Sequence, residues 1–434
     1  MLGLTSDAKP IDTVGKYEYN PTYISENNNM IKRIIEMSEQ NEDFDCCIQR
    51  KGTNCLKYDF ALRRGMPEDV LPFWVADMDF ATSSYIQDAL VKRAMHPIFG
   101  YSETDEEYFN AVAGWMKRHH EWEVQRSWLI KTPGVIFAVA MAIKAYTKPG
   151  DKVLIQRPLY YPFAETIVAN NRVAISNSLY LGDDNRYHID YEDFEKKIAD
   201  NNIKLFLLCN PHNPSGRDFS KVELTKIGDI CLKHNVIVVS DEIHNDFVFK
   251  GKHTVFASIK KEYEDICIVC TSASKTFNIA TMLVSNIFIP NRDLKKRFKK
   301  EVEAAGISQL NIMGLLATQA AYEDGEVWYE AMYSYVKSNI EYVREYVRNK
   351  LPGVNAVDGE GTYLLWLDFR GTGIGSDEIN KRIVADARLW LDRGEIFGEE
   401  GEGFQRINVA TPRKNVTECL ERIKKYVLQN KLIY

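Results

Sequence analysis

Four short polar segments of this chain carry side chains that could do chemistry: Thr132-Pro-Gly-Val135, Asn210-Pro-His-Asn-Pro-Ser-Gly216, Asp241-Glu-Ile-His244 and Ser272-Ala-Ser-Lys275-Thr-Phe-Asn278. A lysine amine attacks or takes a proton only when unprotonated, which burial or a neighbouring cation favours. A carboxyl such as that of Asp241, if buried, can stay beside a cationic partner and keep it protonated. A glycine opening a helix, as Gly134 does ahead of Val135, offers backbone N–H groups to an anion. Farther on, Arg406 has the planar fork that grips a carboxylate. Taken singly, each has an ordinary explanation: Asn-Pro turns are common, a carboxylate after a strand caps a helix, and most lysines are solvated. Three of the four segments, however, follow directly on short apolar runs, and that shared placement argues for one site.

The elements that would position them form an alternating pattern. Helical periodicity covers Ser84–Met95, Glu106–His119 and Val135–Tyr146, the last ended by Lys148-Pro149-Gly150. Short β-type runs follow at Lys152–Gln156, Val173–Ser176, Leu205–Cys209, Val236–Ser240, Ile266–Thr271 and Asn286–Ile289, with helices at Tyr191–Ala199 and Lys221–His234 between several of them. Runs that are apolar without strict alternation predict strands covered on both faces, a mainly parallel sheet between helix layers. Ligands bind in such sheets at the loops leaving the carboxyl ends of strands. From Asp293 to about Lys350 the pattern is helical, with breaks at Gly306 and Asp324-Gly325. An antiparallel α+β segment then follows, with strands near Tyr363–Phe369 and Gln405–Ala410 and helices near Asp377–Ala387 and Val416–Leu428. The expected organisation is an N-terminal extension over 1–40, a first part of a smaller domain over 41–84, a large α/β domain over 85–330 and the rest of the small α+β domain over 331–434.

Composition bounds the function. The 434 residues carry 55 basic and 61 acidic side chains, a formal charge of −6, which argues against wholesale binding to nucleic acid. The longest apolar run, Val135–Ile143, falls far short of the roughly 20 residues of a spanning helix, so no membrane role is expected. The eight cysteines are sparse, and only Cys267 and Cys270 have C-x-x-C spacing. Three apart in a strand, those two point to opposite faces and cannot share a metal. The thiols are expected to be buried and reduced, fitting a cytoplasmic protein without a metal, and Met1–Asp7 carries no secretion pattern.

The chain resembles the fold-type I enzymes that use pyridoxal 5′-phosphate (PLP), the aspartate-aminotransferase superfamily. Within it, the chain is most similar to the cystathionine β-lyase-type C–S lyases, related to maltose-regulon repressors and cystalysin-like enzymes. The residues that carry the likeness are Lys51–Asp59, Trp74-Val-Ala-Asp-Met-Asp-Phe80, Gly100-Tyr101, Pro158–Phe163, Asn210–Gly216, Asp241–His244, Ser272–Asn278, Gly361–Asp368 and Arg406-Ile-Asn-Val-Ala410. They span nearly the whole chain, and the Trp74–Phe80 motif belongs to the lyase-like subgroup.

The resemblance implies roles for particular residues. Lys275 matches the lysine that bonds the cofactor aldehyde, and Asp241 the carboxylate beside the ring nitrogen. Asn213 matches the partner of the phenolic oxygen, Tyr160 the aromatic stacked on the ring, and His244 a polar neighbour. Gly134, Val135 and Ser272 match the phosphate cup, and Tyr101 the tyrosine reaching the phosphate of a neighbouring subunit, which implies a homodimer with shared sites. Arg406 matches the arginine for the substrate carboxylate, with Trp74, Asp77, Tyr161 and Tyr363 as pocket walls. The sequence departs from the superfamily where a basic phosphate partner is common, eight residues after the lysine: Leu283 stands there, and Ala280-Thr281-Met282 replaces Ala-Gly-Leu.

The resemblance implies a C–S β-lyase acting on cystathionine or related L-cysteine S-conjugates to give pyruvate, ammonia and a thiol. An aminotransferase is the first alternative, because both reactions begin with removal of the same α-proton. A regulatory or interaction protein that keeps the fold is the second.

Overall fold

The computed structural model describes residues 43–428, so the expected extension over 1–40 lies outside the described residues. Seven strands form the central sheet: β1 (Leu129–Thr132), β2 (Lys152–Ile155), β3 (Val173–Ser176), β4 (Leu205–Cys209), β5 (Ile237–Asp241), β6 (Cys267–Thr271) and β7 (Ser285–Phe288). Their order is β1-β7-β6-β5-β4-β2-β3. Only β7 runs against its neighbours; β3, β2, β4, β5 and β6 pair in parallel. β1 escaped the sequence reading because Leu-Ile-Lys-Thr is too short and too polar to stand out from a loop.

The strands are apolar on both faces, as the unbroken runs predicted. Val153, Leu205, Leu207, Val239, Ile268, Cys270 and Ile287 pack to one side, while Leu154, Phe206, Leu208, Val238, Cys267, Val269 and Phe288 pack to the other. Cys267 and Cys270 therefore fall on opposite faces, as their spacing required. Cys46 and Cys47, by contrast, are exposed, against the expectation of buried thiols, because they lie in irregular chain ahead of the first regular element among the described residues.

The helices are α1 (Ser84–Ala94), α2 (Glu106–His120), α3 (Val135–Tyr146), α4 (Pro162–Ala169), α5 (Tyr191–Asp200), α6 (Lys221–Lys233), α7 (Ala273–Thr276), α8 (Arg292–Ala304), α9 (Ile312–Asp324), α10 (Glu326–Lys350), α11 (Ser376–Lys381) and α12 (Arg413–Arg422). Local chemistry explains several of their starts. Ser220 and Glu223 form a reciprocal capping box on α6, and the Asn291 and Asn311 side chains cap α8 and α9. α3 covers one sheet face with Ala138, Val139, Ala142 and Ile143, all essentially without exposure. α2, α9 and α10 contribute to the core on the other face.

A second sheet of four antiparallel strands contains β8 (Asn355–Ala356), β9 (Leu364–Asp368), β10 (Asp392–Arg393) and β11 (Phe404–Asn408), in the order β8-β9-β11-β10. The expected helix over Asp377–Ala387 is α11 continued by a wider-wound turn, Arg382–Asp386.

An irregular strap, residues 73–82, crosses between the sheets. Asn278 Oδ1 accepts from Met78 N at 2.9 Å, and Asn278 Nδ2 donates to the carbonyls of Met78 and Phe80. On the other side, Asn408 Nδ2 donates to the carbonyls of Val75 and Asp77, each at 2.6 Å. Two asparagines, Asn278 from the turn after α7 and Asn408 from β11, thus satisfy the backbone of a segment that has no ladder of its own.

Candidate active site

The carboxyl ends of β4, β5 and β6 release the three polar segments into one cavity of about 260 Å³. Its wall includes Gly134, Val135, Tyr160, Asn213, Asp241, His244 and Lys275, seven of the residues singled out from sequence. Ala76, Cys209, Ser274, Leu283 and Ser285 also line it.

Each element delivers its side chain for a local reason. Asp241 closes β5 in register with Cys209 and Cys270, and its Oδ1 accepts from Ile243 N at 3.1 Å. Burial raises the Asp241 pKa to about 7. Lys275 rides on α7, whose N-cap Ser272 holds Ser274 N. Its Nζ donates to the Ala76 carbonyl of the strap at 2.8 Å. Withdrawal from water lowers the Lys275 pKa; Asp77 and Asp241 oppose that shift, and the Arg406 charge reinforces it. Burial lowers the His244 pKa to about 3, with Lys275 and Arg406 adding to the effect, so its ring is neutral at physiological pH.

The Asn210–Gly216 turn depends on close backbone approach. A Cβ on Gly359 would stand 2.5 Å from the Gly216 carbonyl oxygen, and Gly361 N donates to that oxygen at 2.8 Å. The contact ties the turn that carries Asn213 to the chain entering β9. Asn213 Oδ1 accepts from Arg406 Nη1 at 2.8 Å. Arg406 Nη2 donates to the Trp74 carbonyl at 2.7 Å and is paired with Asp392. Asp392 stands directly opposite Arg406 across β10 and β11, so register alone puts the two charges on one face.

The remaining predicted residues lie outside the wall. Tyr363 OH donates to Ala76 O at 3.1 Å, and its ring meets His244 edge-on at 5.7 Å. Tyr161 packs against Tyr160 and Phe397, and Trp74 stacks on Trp390 at 4.4 Å. Asp77 is no open wall: Arg50 holds it at 2.6 Å and Lys57 at 3.4 Å. Ser272 is not among the wall residues, and its Oγ lies 2.8 Å from that of Ser274, which is. The Ser272 hydroxyl has a single hydrogen, and the 2.6 Å contact to the Val284 carbonyl, which can only accept, takes it. Tyr101 is 98% exposed and lines a separate groove with Phe99 and Leu310.

Sequence reasoning missed Asp392, Ser285 and the ionic cluster of Arg50, Lys57, Asp77 and Asp79 as a unit. Lys57 and Asp77 stand in quoted motifs, but their pairing across some 20 residues has no sequence signal. Asp246, also missed, accepts from Trp115 Nε1 at 3.1 Å, from His120 and from Thr276 beside Lys275, which links α2 to the lysine turn. No group of three or more His, Cys, Asp or Glu suited to a metal occurs among the described residues, and none of their helices is long and apolar enough to cross a membrane.

An amine and a buried carboxyl at the strand ends of the doubly covered sheet, with the paired Arg406 guanidinium brought in from the second sheet, suit a class of protein that binds small amino-acid-like molecules. Residues 68–423 match the family Aminotransferase class I and II, and the chain belongs to it. The chain is 40% identical to cystathionine β-lyase PatB of Bacillus subtilis (strain 168), across 88% of this chain and 99% of that protein. Among solved structures, cystalysin from Treponema denticola, which contains a PLP cofactor, superposes with a TM-score of 0.86 at 38% identity, covering 89% of this chain and 99% of that one. The PLP-bound C–S lyase from Staphylococcus hominis gives 0.83 at 32% identity, covering 89% and 98%.

Proposed function

We propose that this chain is a PLP-dependent C–S β-lyase that cleaves L-cysteine S-conjugates, cystathionine among them, to pyruvate, ammonia and a thiol. The observation that carries it is one cavity holding an amine of lowered pKa, Lys275, and a buried carboxyl of raised pKa, Asp241, in a chain similar to C–S lyases over nearly its whole length. The residues fit the cofactor. Asp241 is a buried acid without a cationic hydrogen-bond partner among the described residues, as a ring nitrogen would require, and the α3 N-terminus opens into the same space without a side-chain cap.

When bound, PLP supplies an aldehyde for the amine and a ring that accepts the electron pair released at the substrate Cα. The chain's own residues do the rest. Lys275, once free, is placed to take the α-proton. In the elimination, the pair released at Cα would form the Cα–Cβ double bond while the Cβ–S pair leaves with sulfur as a thiolate that takes up a proton, and water would then convert the remainder to pyruvate and ammonia. Arg406, aimed by Asp392 and Asn213, holds the substrate carboxylate. Tyr160 and Asn213 would hold the cofactor ring, and Ala76 of the strap lines the cavity and accepts from the amine.

The homodimer is part of this reading. Met95, Ile98, Phe99 and Tyr101 form an exposed apolar stretch that a second copy would cover, bringing Tyr101 toward the partner's site. The five buried, unpaired thiols support a reducing, cytoplasmic setting.

The test is pyruvate release from a panel of cysteine conjugates in the absence of any keto acid. Wild-type protein loaded with PLP should release pyruvate and thiol in equal amounts. Lys275→Ala should lose both this activity and the visible absorbance of the lysine-bound cofactor. Product that forms only when a keto acid is added would instead assign transamination.

A further inference from the structure

Ser285 begins β7 directly opposite Thr132 of β1, two residues before Gly134. Its side chain is 1% exposed, and its Oγ has no hydrogen-bond partner among the described residues. A buried hydroxyl without a partner carries a desolvation cost, so its place calls for a ligand. The same residue lines the cavity, next to Gly134 and Val135, where α3 begins with Gly134 at φ +112° and no side-chain cap.

Charge around this end of the cavity is sparse. Lys275 is the one lysine or arginine in the wall among the described residues, and its amine is directed at Ala76. Leu283, at φ +52°, occupies the position where a basic residue was expected. The hydroxyl of Ser272, the serine expected to serve the phosphate, meets the Val284 carbonyl at 2.6 Å and Ser274 Oγ at 2.8 Å.

We propose that Ser285 is a hydroxyl donor to the cofactor phosphate and, together with the α3 N-terminus, stands in for the missing cation. The inference rests on the PLP reading above. It makes phosphate recognition here a matter of neutral donors and a helix terminus rather than of a salt bridge.

The test compares PLP with pyridoxal, which lacks the phosphate, as ligands for the cofactor-stripped full-length chain, followed by absorbance. Ser285→Ala should weaken PLP binding about tenfold or more, the effect of losing a hydrogen bond to a charged group, and leave pyridoxal binding unchanged. Melting of the stripped variant should not fall below wild type, because the deleted hydroxyl has no partner to lose. Should Ser285→Ala fail to fold, Ser285→Cys, which keeps the size but not the strong donor, carries the same expectation. Equal weakening of both ligands, or an unchanged preference for PLP, overturns the proposal. Wild-type protein that binds neither ligand would overturn the PLP reading itself, a separate outcome.

Discussion

Asp241 illustrates how a single buried group sets both chemistry and stability. Its folded pKa lies near 7, above the ordinary 3.8, because burial disfavours the charge. The native chain therefore holds a proton that the unfolded chain has already lost between those values. Stability from this group is fully present below about pH 3.8, declines as pH rises toward 7, and is flat above. Asp241→Asn removes that slope. In the cofactor-free protein, the unfolding free energy of wild type relative to the variant should fall by on the order of 4 kcal/mol across this window. Chemical denaturation at a series of pH values measures it, and parallel curves for the two proteins would refute it. His244, whose pKa is lowered from 6.5 to about 3, contributes the opposite slope, with stability present above about pH 6.5 and lost as pH falls toward 3; that slope is common to both proteins and cancels in the comparison.

Among elements, the strap over residues 73–82 decides whether the lysine is presented correctly. It is fixed by Asn278, Asn408 and the cluster in which Lys57 Nζ lies 3.0 Å and Arg50 Nη1 2.7 Å from Asp79. Burial alone would raise the Asp79 pKa, but the two cations hold it below the usual carboxylate value. Removing one partner of such a buried group leaves an uncompensated charge. Lys57→Met should cost about 3–5 kcal/mol in unfolding free energy, and the double variant Lys57→Met with Asp79→Asn should cost less than the sum of the two single changes, as read by a double-mutant cycle. Strict additivity would mean the pair is not coupled. The cluster also reaches Lys275 through Asp77, which favours the protonated amine, so loosening the strap should depress the lysine pKa further.

For the molecule as a whole, the exposed stretch around Phe99 and Tyr101 is where the proposed dimer would join assembly to function. A charge inserted there opposes burial against a second copy. Phe99→Glu should shift the sedimenting species from dimer to monomer and weaken PLP retention, while far-UV circular dichroism stays unchanged because Phe99 is 64% exposed within one chain. A wild-type monomer retaining the cofactor would exclude the shared-site dimer.

Much of this architecture was legible in the order of residues, and for identifiable reasons. Runs such as Leu205–Cys209 are short and apolar at every position, which suits a strand covered on both faces. Gly134 and Pro149-Gly150 bracket a helix that the structure places at Val135–Tyr146. Motif spacing located Lys275, Asp241, Asn213 and the α3 opening, because each is tied to the end of its own element. Tertiary structure alone decided that Ser274 and Ser285 line the cavity, that Asp77 is consumed by Arg50 and Lys57, and that Arg406 is aimed by Asp392. Those outcomes depend on cross-strand register and on competition for one hydroxyl hydrogen or one carboxylate oxygen, and such contests are settled between segments that lie far apart along the chain.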